Sequence, residues 1–352
     1  MKQKRNRPSY DTLRSVLEPH LDLHATRLTV RCALVLAMIS ARSAVLYSLV
    51  THIKLPGSFA VKFKRLKRFV RFTLPDTQIA ALVFKLLPRG KHWLILDRTH
   101  WTLGSCQINV LLLSVVWQRF SLPLVWTVFA KSGNSSQLER NALLERLLAV
   151  LPVGDTLGLM ADREFIGKTW FGFLVQHNIE VCIRLKSSTR VDGIPVAACF
   201  RKLEIGEMRY WHRAMSVYGV KLRVMGTRCP DGSMLYLAYQ GRHEHGLRRY
   251  AQRWQCENLH QSLKTRGFSL EDSHLTCPER ISTLLGTVSL AFIWCCLTGE
   301  WRARKHPLKL LKHGYPGKSI FRYGLDLLQE AILHAQSPAR RQLPTLAQLF
   351  DP

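Results

Sequence analysis

The chain has little acid to set against its base. Its 352 residues carry 24 Asp and Glu against 51 Lys and Arg, a formal charge of +27. An excess of this size implies a polyanionic partner, nucleic acid first and an anionic membrane surface second. Also missing is any C-x-x-C pair. The nine cysteines, an odd number scattered from Cys32 to Cys296, exclude a disulfide framework and a zinc ribbon and imply a reducing compartment. No apolar run follows the basic segment Met1–Pro8, so no secretory signal is expected and the chain is placed in the cytoplasm. There is no internal repeat or low-complexity tract.

The remaining composition is that of a folded chain, with 47% hydrophobic and 21% charged residues, too apolar for disorder throughout. The length fits two to three domains or one interrupted one. One stretch, Ile281–Gly299, carries no charge and approaches the length that spans a bilayer. Its Ser282, Thr283, Gly286, Thr287 and Ser289, bracketed by Arg280 and Glu300, read instead as a buried core helix, and no membrane is expected.

Residues 1–90 read as a helical domain, with a break at Pro56-Gly57 and a further helix start near Leu74-Pro75-Asp76. This quarter of the chain holds 17 basic and 4 acidic residues. Its densest patch is Lys62, Lys64, Arg65, Lys67, Arg68 and Arg71. Interleaved with Phe63, Leu66, Phe69 and Val70, these residues give one basic and one apolar face on a helix, suited to a DNA backbone.

After Gly90 the period changes. Trp93–Leu96 reads as a short strand, and Ile108–Trp117 and Leu122–Phe129 as a hairpin. Gln137–Val150 follows as a helix, Thr156–Ala161 as a buried strand, Thr169–His177 as a helix and Ile179–Lys186 as a strand. The order is βββαβαβ. Residues 191–245 are turn-rich and form a β-rich insertion. Helix returns from Gly246 to Gly267 and again from Pro278, and a basic helical region occupies 301–352.

Two carboxylates close apolar strands in this reading: Asp97 after Leu94-Ile95-Leu96, and Asp162 after Thr156–Ala161. Side chains at such edges commonly meet ligand, and two of them suit Mg²⁺, a hard cation that takes carboxylate oxygens. Each alone also fits a turn or cap residue. Tyr250, Arg253, Glu257 and Lys264 are spaced by three, four and seven, so on one helix they share an arc of roughly 60°. Cys256, Leu259 and Leu263 take the other side. Arg253 and Glu257 equally fit a surface salt bridge at i,i+4. Three carboxylates on two strand ends and a helix suit two-metal phosphoryl transfer, with basic residues holding phosphates.

The stripe is Y-x2-R-x3-E-x6-K. With Leu96-Asp97-Arg98-Thr99, Ala161-Asp162-Arg163-Glu164-Phe165, Trp254 and Gly267, it resembles the DDE transposases of bacterial insertion sequences, specifically the insertion-sequence-four family, over about Lys91 to Gly267. The resemblance implies a ribonuclease H-like mixed α/β sheet in two parts, 91–190 and 246–300, with the β-rich insertion 191–245 between them. The N-terminal helical domain and the C-terminal helices flank it. Gaps of 65 and 95 residues separate the three acids, the second holding the insertion.

The resemblance implies Asp97, Asp162 and Glu257 as catalytic ligands of two Mg²⁺ ions, with Mn²⁺ as substitute. Tyr250, Arg253 and Lys264 would contact DNA near the cleaved end. Lys62, Lys64, Arg65, Lys67 and Arg68 are expected to bind double-stranded DNA. The activity implied is binding of terminal inverted repeats, cleavage, and strand transfer into target DNA by a homodimer assembled on the DNA in a bacterial cytoplasm. A catalytically silent DNA-binding descendant and a nuclease of related fold are the competing readings. One position departs from the family: many members carry Phe three residues after the glutamate, where this chain has His260 close to the Glu257 face. It is read as a packing substitution outside the catalytic set. Some relatives flip a base onto an aromatic residue of the insertion, for which Trp211, Tyr210 and Tyr218 are the candidates here.

Overall fold

The computed structural model describes residues 10–349 apart from 313, 315, 335, 340–342 and 345–348. The basic segment Met1–Pro8 therefore lies outside the described residues. Five helices come first: α1 (Tyr10–Leu17), α2 (Ala25–Ala41), α3 (Leu46–His52), α4 (Phe59–Phe69) and α5 (Thr77–Leu86). The Pro56-Gly57 break separates α3 from α4, as proline and a positive-φ glycine dictate. In α4, Leu66 and Phe69 turn inward while Lys64, Lys67 and Arg68 stay exposed. The start of α5 is fixed to the sheet by Asp76, whose Oδ2 accepts the backbone N–H of Trp126 at 2.9 Å.

The sheet follows, in the chain order β1 (Lys91–Leu103), β2 (Cys106–Trp117), β3 (Phe120–Phe129), α6 (Gln137–Leu148), β4 (Thr156–Ala161), α7 (Lys168–Gln176) and β5 (Glu180–Leu185). This is the mixed α/β, ribonuclease H-like arrangement expected. The three leading strands are antiparallel, and β1–β4 and β4–β5 are parallel. Ser136 and Glu139 close a reciprocal capping box at the start of α6, satisfying two free backbone donors there.

Residues 187–245 supply β6 (Arg190–Val191), β7 (Ile194–Pro195), the short α8 (Val196–Cys199), β8 (Met208–Tyr210), β9 (Met215–Val217), β10 (Val220–Arg228) and β11 (Met234–Tyr239). They extend the sheet, because β11 lies antiparallel to β5 with Tyr239 opposite Cys182. Eleven strands result, in the order β3-β2-β1-β4-β5-β11-β10-β9-β6-β7, with β8 on β10.

The chain then forms α9 (His245–Ala251), α10 (Trp254–Leu263), α11 (Pro278–Lys305) and α12 (Ile320–Leu333). Although α11 is long and apolar enough to cross a membrane, 94% of its apolar window is buried inside the fold. Several of its polar groups are satisfied, although the Ser289 and Thr298 hydroxyls find no partner among the described residues. Thr283 and Thr287 donate to carbonyls four residues back, and Ser282 accepts from the Trp126 indole at 2.9 Å.

One buried charge stands out among the core positions. Arg31, in α2, is 1% exposed, and among the described residues none of its three guanidine nitrogens has a partner. Burial pulls it down to about 10. An unpaired buried cation costs several kcal/mol, and a methionine fills the same length without charge. Arg31→Met is expected to raise the denaturant midpoint by at least about 1 kcal/mol of stability, with an unchanged slope. A lowered midpoint would mean that water or another group satisfies the guanidinium.

Candidate active site

The site begins with two adjacent parallel strands. The last β1–β4 pair is Leu96 with Ala161, so Asp97 and Asp162 emerge as next neighbours from strands roughly 4.8 Å apart. Each carboxylate accepts the backbone N–H of the residue after it, Arg98 at 2.9 Å and Arg163 at 2.8 Å.

The expectation that Asp97 ends its strand is corrected. It lies inside β1, which continues to Leu103 as the partner of β2 alone. Past Leu96 the strand keeps only one neighbour. The polar residues that follow hid its continuation, because a hairpin strand open on one side tolerates them.

The third acid arrives on α10. Arg253, between α9 and α10, donates to Asp97 at 3.1 Å and to Glu257 at 2.6 Å, bridging the sheet to the helix. The i,i+4 pair is thus present, but as half of a partly buried bridge and not as a surface ornament. Tyr250 is buried, with its hydroxyl 3.4 Å from Asp162, and Arg184 of β5 lies 3.6 Å from the same carboxylate. The structure therefore gathers Asp97, Asp162, Glu257, Tyr250 and Arg253.

Lys264 is placed elsewhere. The expected single helix is broken at Gln252-Arg253, where N–H groups bond three residues back, and α10 ends at Leu263. The Lys264 ammonium donates to the His100 carbonyl at 2.9 Å and pairs with Glu271 at 3.3 Å, further along β1 from Asp97. The break is not the cause, because Lys264 caps the same helix that carries Glu257. A shared arc fixes direction and not depth, and seven residues set Lys264 roughly 10 Å further along the axis.

Burial and charge decide which ligands this cluster can take. Burial pushes Asp97 up to about 6, aided by Asp162 and Glu164 and opposed by Arg253 and the Arg98 N–H. Burial works against the Arg253 charge, yet Tyr250, Asp97, Asp162 and Glu257 together hold its pKa above the ordinary value. Three carboxylates meet two guanidiniums here, those of Arg253 and Arg184. The trio therefore holds more negative charge than its neighbours neutralise, and its donors are all hard oxygens. That donor set fits divalent cations of the Mg²⁺ type.

Two residues that sequence reasoning left outside the site help to frame it. Arg98 forms a two-pronged bridge to Glu164 at 3.0 and 3.1 Å, tying the segment after Asp97 to that after Asp162. The repeated Asp-Arg dipeptide, with Glu two residues past Asp162, was the available signal.

His260 is corrected in orientation. Its imidazole turns away from the Glu257 face to Cys256, 3.5 Å from the sulfur. Burial, with Lys264 and Arg253 nearby, lowers it to about 3.

The aromatic residues proposed for base flipping are engaged: Trp211 on Phe200, Tyr210 on His243 and Tyr218 on Phe171. The exposed aromatic beside Arg253 is Trp254, 61% exposed.

Away from these carboxylates, Lys67 and Arg71 border a groove of about 240 Å³ that includes Tyr47, Phe63, His274 and Arg280. Lys62 donates to the Ile53 carbonyl at 3.4 Å, and Lys67 lies over the Phe63 ring.

No curated protein matches the chain. Residues 90–294, more than half of it, match the family model described as a transposase DDE domain, from the start of β1 into α11.

Proposed function

Because the chain belongs to the transposase DDE domain family, we propose that this transposase is of the insertion-sequence-four type. In this reading it binds the terminal inverted repeats of a bacterial insertion sequence, cuts the DNA with Mg²⁺ and joins the freed 3′ ends to target DNA. The observation that carries the reading is the meeting of Asp97 and Asp162, from neighbouring parallel strands, with Glu257 across the Arg253 bridge.

Asp97, Asp162 and Glu257 are the proposed ligands for two divalent ions, Mg²⁺ with Mn²⁺ as substitute. Such ions supply stabilisation of charge on the attacking and leaving oxygens. Arg253 holds Asp97 and Glu257 together and is free to turn to a DNA phosphate once their charge is otherwise met, a bidentate contact that guanidinium favours. Tyr250 orients Asp162 through its hydroxyl. Lys264, set along β1, serves the DNA further from the cut.

In the proposed division, residues 1–90 recognise DNA, 91–190 and 246–300 form the catalytic core, 191–245 is the insertion and 301–352 a basic helical extension. Synapsis of two ends calls for a homodimer on DNA. The setting proposed is the bacterial cytoplasm, on the nucleoid when DNA-bound and with no membrane.

The test is incubation with a supercoiled plasmid carrying the element's ends and Mg²⁺. End-specific cleavage with joining of 3′ ends is the expected product. Cleavage without joining would make the protein a nuclease of related fold. Specific binding with no cleavage under Mg²⁺ or Mn²⁺ would make it a DNA-binding descendant.

The α4 patch gives a graded readout. Replacing Lys64, Arg65 and Arg68 together by Gln is expected to weaken binding to any duplex. It should also flatten the dependence of log affinity on log salt by up to about 3, at about 0.9 per phosphate contact. An unchanged slope would remove the patch from the interface.

A further inference from the structure

Beneath Asp97 lies a cluster that the reaction proposed above does not use. Cys256 and His260, four residues apart on α10, turn the same way into the core. The sulfur is 3.5 Å from the imidazole Nε2. One ligand atom each from Asp97, Cys256 and His260 lies within 4.8 Å of the other two, the one such group among the described residues. Sulfur, nitrogen and one carboxylate oxygen form a soft, mixed donor set, unlike the all-oxygen trio above it. In tetrahedral zinc sites, with bonds of about 2.3 Å to sulfur and about 2.0–2.1 Å to nitrogen, the sulfur–nitrogen edge is about 3.6 Å. The observed separation matches it. A supporting contact is also present: the buried Ser114 hydroxyl lies 3.8 Å from the sulfur, placed to donate to a thiolate as outer partners of metal ligands do.

We propose that Asp97, Cys256 and His260 form a Zn²⁺ site that shares Asp97 with the catalytic carboxylates, so that zinc binding inhibits the enzyme by drawing Asp97 away from them. The inhibitory consequence rests on the reading of Asp97 as a catalytic metal ligand; zinc binding does not. Binding forms a zinc–sulfur bond, releases the thiol proton to solvent and changes no oxidation state. The fourth position falls to water. Mg²⁺ competes poorly for such a set because it prefers oxygen and octahedral geometry. Soft-metal occupancy would then be a brake at the same carboxylate that Mg²⁺ needs.

The test uses the full chain, with Co²⁺ as the probe of thiolate coordination. Titration is expected to raise a near-ultraviolet sulfur-to-cobalt charge-transfer band that Zn²⁺ abolishes by displacement. The band should be lost in Cys256→Ser. Its midpoint should move to at least about tenfold higher cobalt in His260→Phe and in Asp97→Asn. Eight other cysteines are present, so the wild-type spectrum is read as a difference from Cys256→Ser. If that variant does not fold, the His260→Phe midpoint decides. An identical band in the variants overturns the site.

A second arm titrates Zn²⁺ against plasmid cleavage at fixed Mg²⁺. Inhibition of the wild type should shift to at least about tenfold higher zinc in Cys256→Ser and His260→Phe. Equal inhibition in all three would place zinc on the carboxylate trio instead and overturn the brake. A protein that binds cobalt as described but cleaves nothing keeps the site and loses the transposition reading.

Discussion

Asp97→Asn is expected to lower DNA cleavage by on the order of 10³-fold or more, about the 4 kcal/mol that one preorganised charge-stabilising group contributes to a transition state. The substitution is nearly isosteric. Asn keeps an oxygen for the Arg98 N–H that Asp97 now accepts, and Arg253 keeps Glu257 as partner, so folding is not the cause of the loss. Stability should move the other way.

The sign follows from burial. Asp97 sits at about 6 in the fold against an ordinary 3.8, so the folded state holds its proton more tightly than the unfolded chain does. The stability this confers is present below about pH 4, falls as pH rises towards 6 and stays lower above. At neutral pH the variant escapes that penalty, and a gain of about 1–3 kcal/mol is expected in metal-free buffer. Added Mg²⁺ or Mn²⁺ should raise the melting temperature of the wild type, because a ligand bound only by the folded state stabilises it, and should do so far less for the variant. Cleavage within about tenfold of wild type would remove Asp97 from the chemistry. Lost activity with an equally lost fold would leave only a packing role.

What the sequence discloses of this site and what it conceals divide along one line. Asp162 is legible because a run of buried residues stops at it, and the end of a buried strand is a local event. The burial of α11 is legible for the same reason, since its run carries no charge and threonine hydroxyls such as those of Thr283 and Thr287 can bond their own helix. The β1 strand past Asp97 is not, because its partner β2 is recruited through a hairpin and polar residues on one face do not stop it. The bend between α9 and α10 has no glycine or proline to mark it. Lys264 leaves the site for a different reason: it caps the helix that carries Glu257, seven residues and roughly 10 Å further along its axis, so a shared arc is not a shared place. The joining of β11 to β5 is likewise a pairing across 59 residues, as at Val181 and Gln240, and no window of local pattern contains it. The direction in which His260 turns was legible within α10, since at about 100° per residue it lies about 40° from the inward Cys256 and about 60° from Glu257.

A second large effect is expected at the seam between α11 and α12, where two glycines let the backbones touch. A Cβ at Gly324 would lie 1.9 Å from the Cys295 carbonyl oxygen, and one at Gly299 would lie 2.0 Å from that of Ile320. Both obstacles are backbone, which no rotamer change relieves. Two opposing terms decide the sign. Alanine in place of glycine inside a helix gains about 1 kcal/mol from propensity. Forcing two close-packed helices apart costs about 3 kcal/mol or more, because the layer between them opens.

Separation would also strain what α12 holds at its other side, the Arg42–Asp326 ion pair at 2.7 Å and the Gln329 donation to the Ser40 carbonyl, which tie it to α2. Gly324→Ala is therefore expected to destabilise by at least about 2 kcal/mol net, and Gly324→Val to prevent folding at physiological temperature.

Gly172, in α7, separates the two terms. It is exposed, and nothing lies within 4 Å of a Cβ built there, so Gly172→Ala meets only the propensity gain and should stabilise by about 0.5–1 kcal/mol. Denaturant midpoints for the two alanine variants should move in opposite directions from the same wild type. Two shifts of like sign would show that the α11–α12 approach is looser than the backbone distances imply, and that helix propensity alone governs both positions.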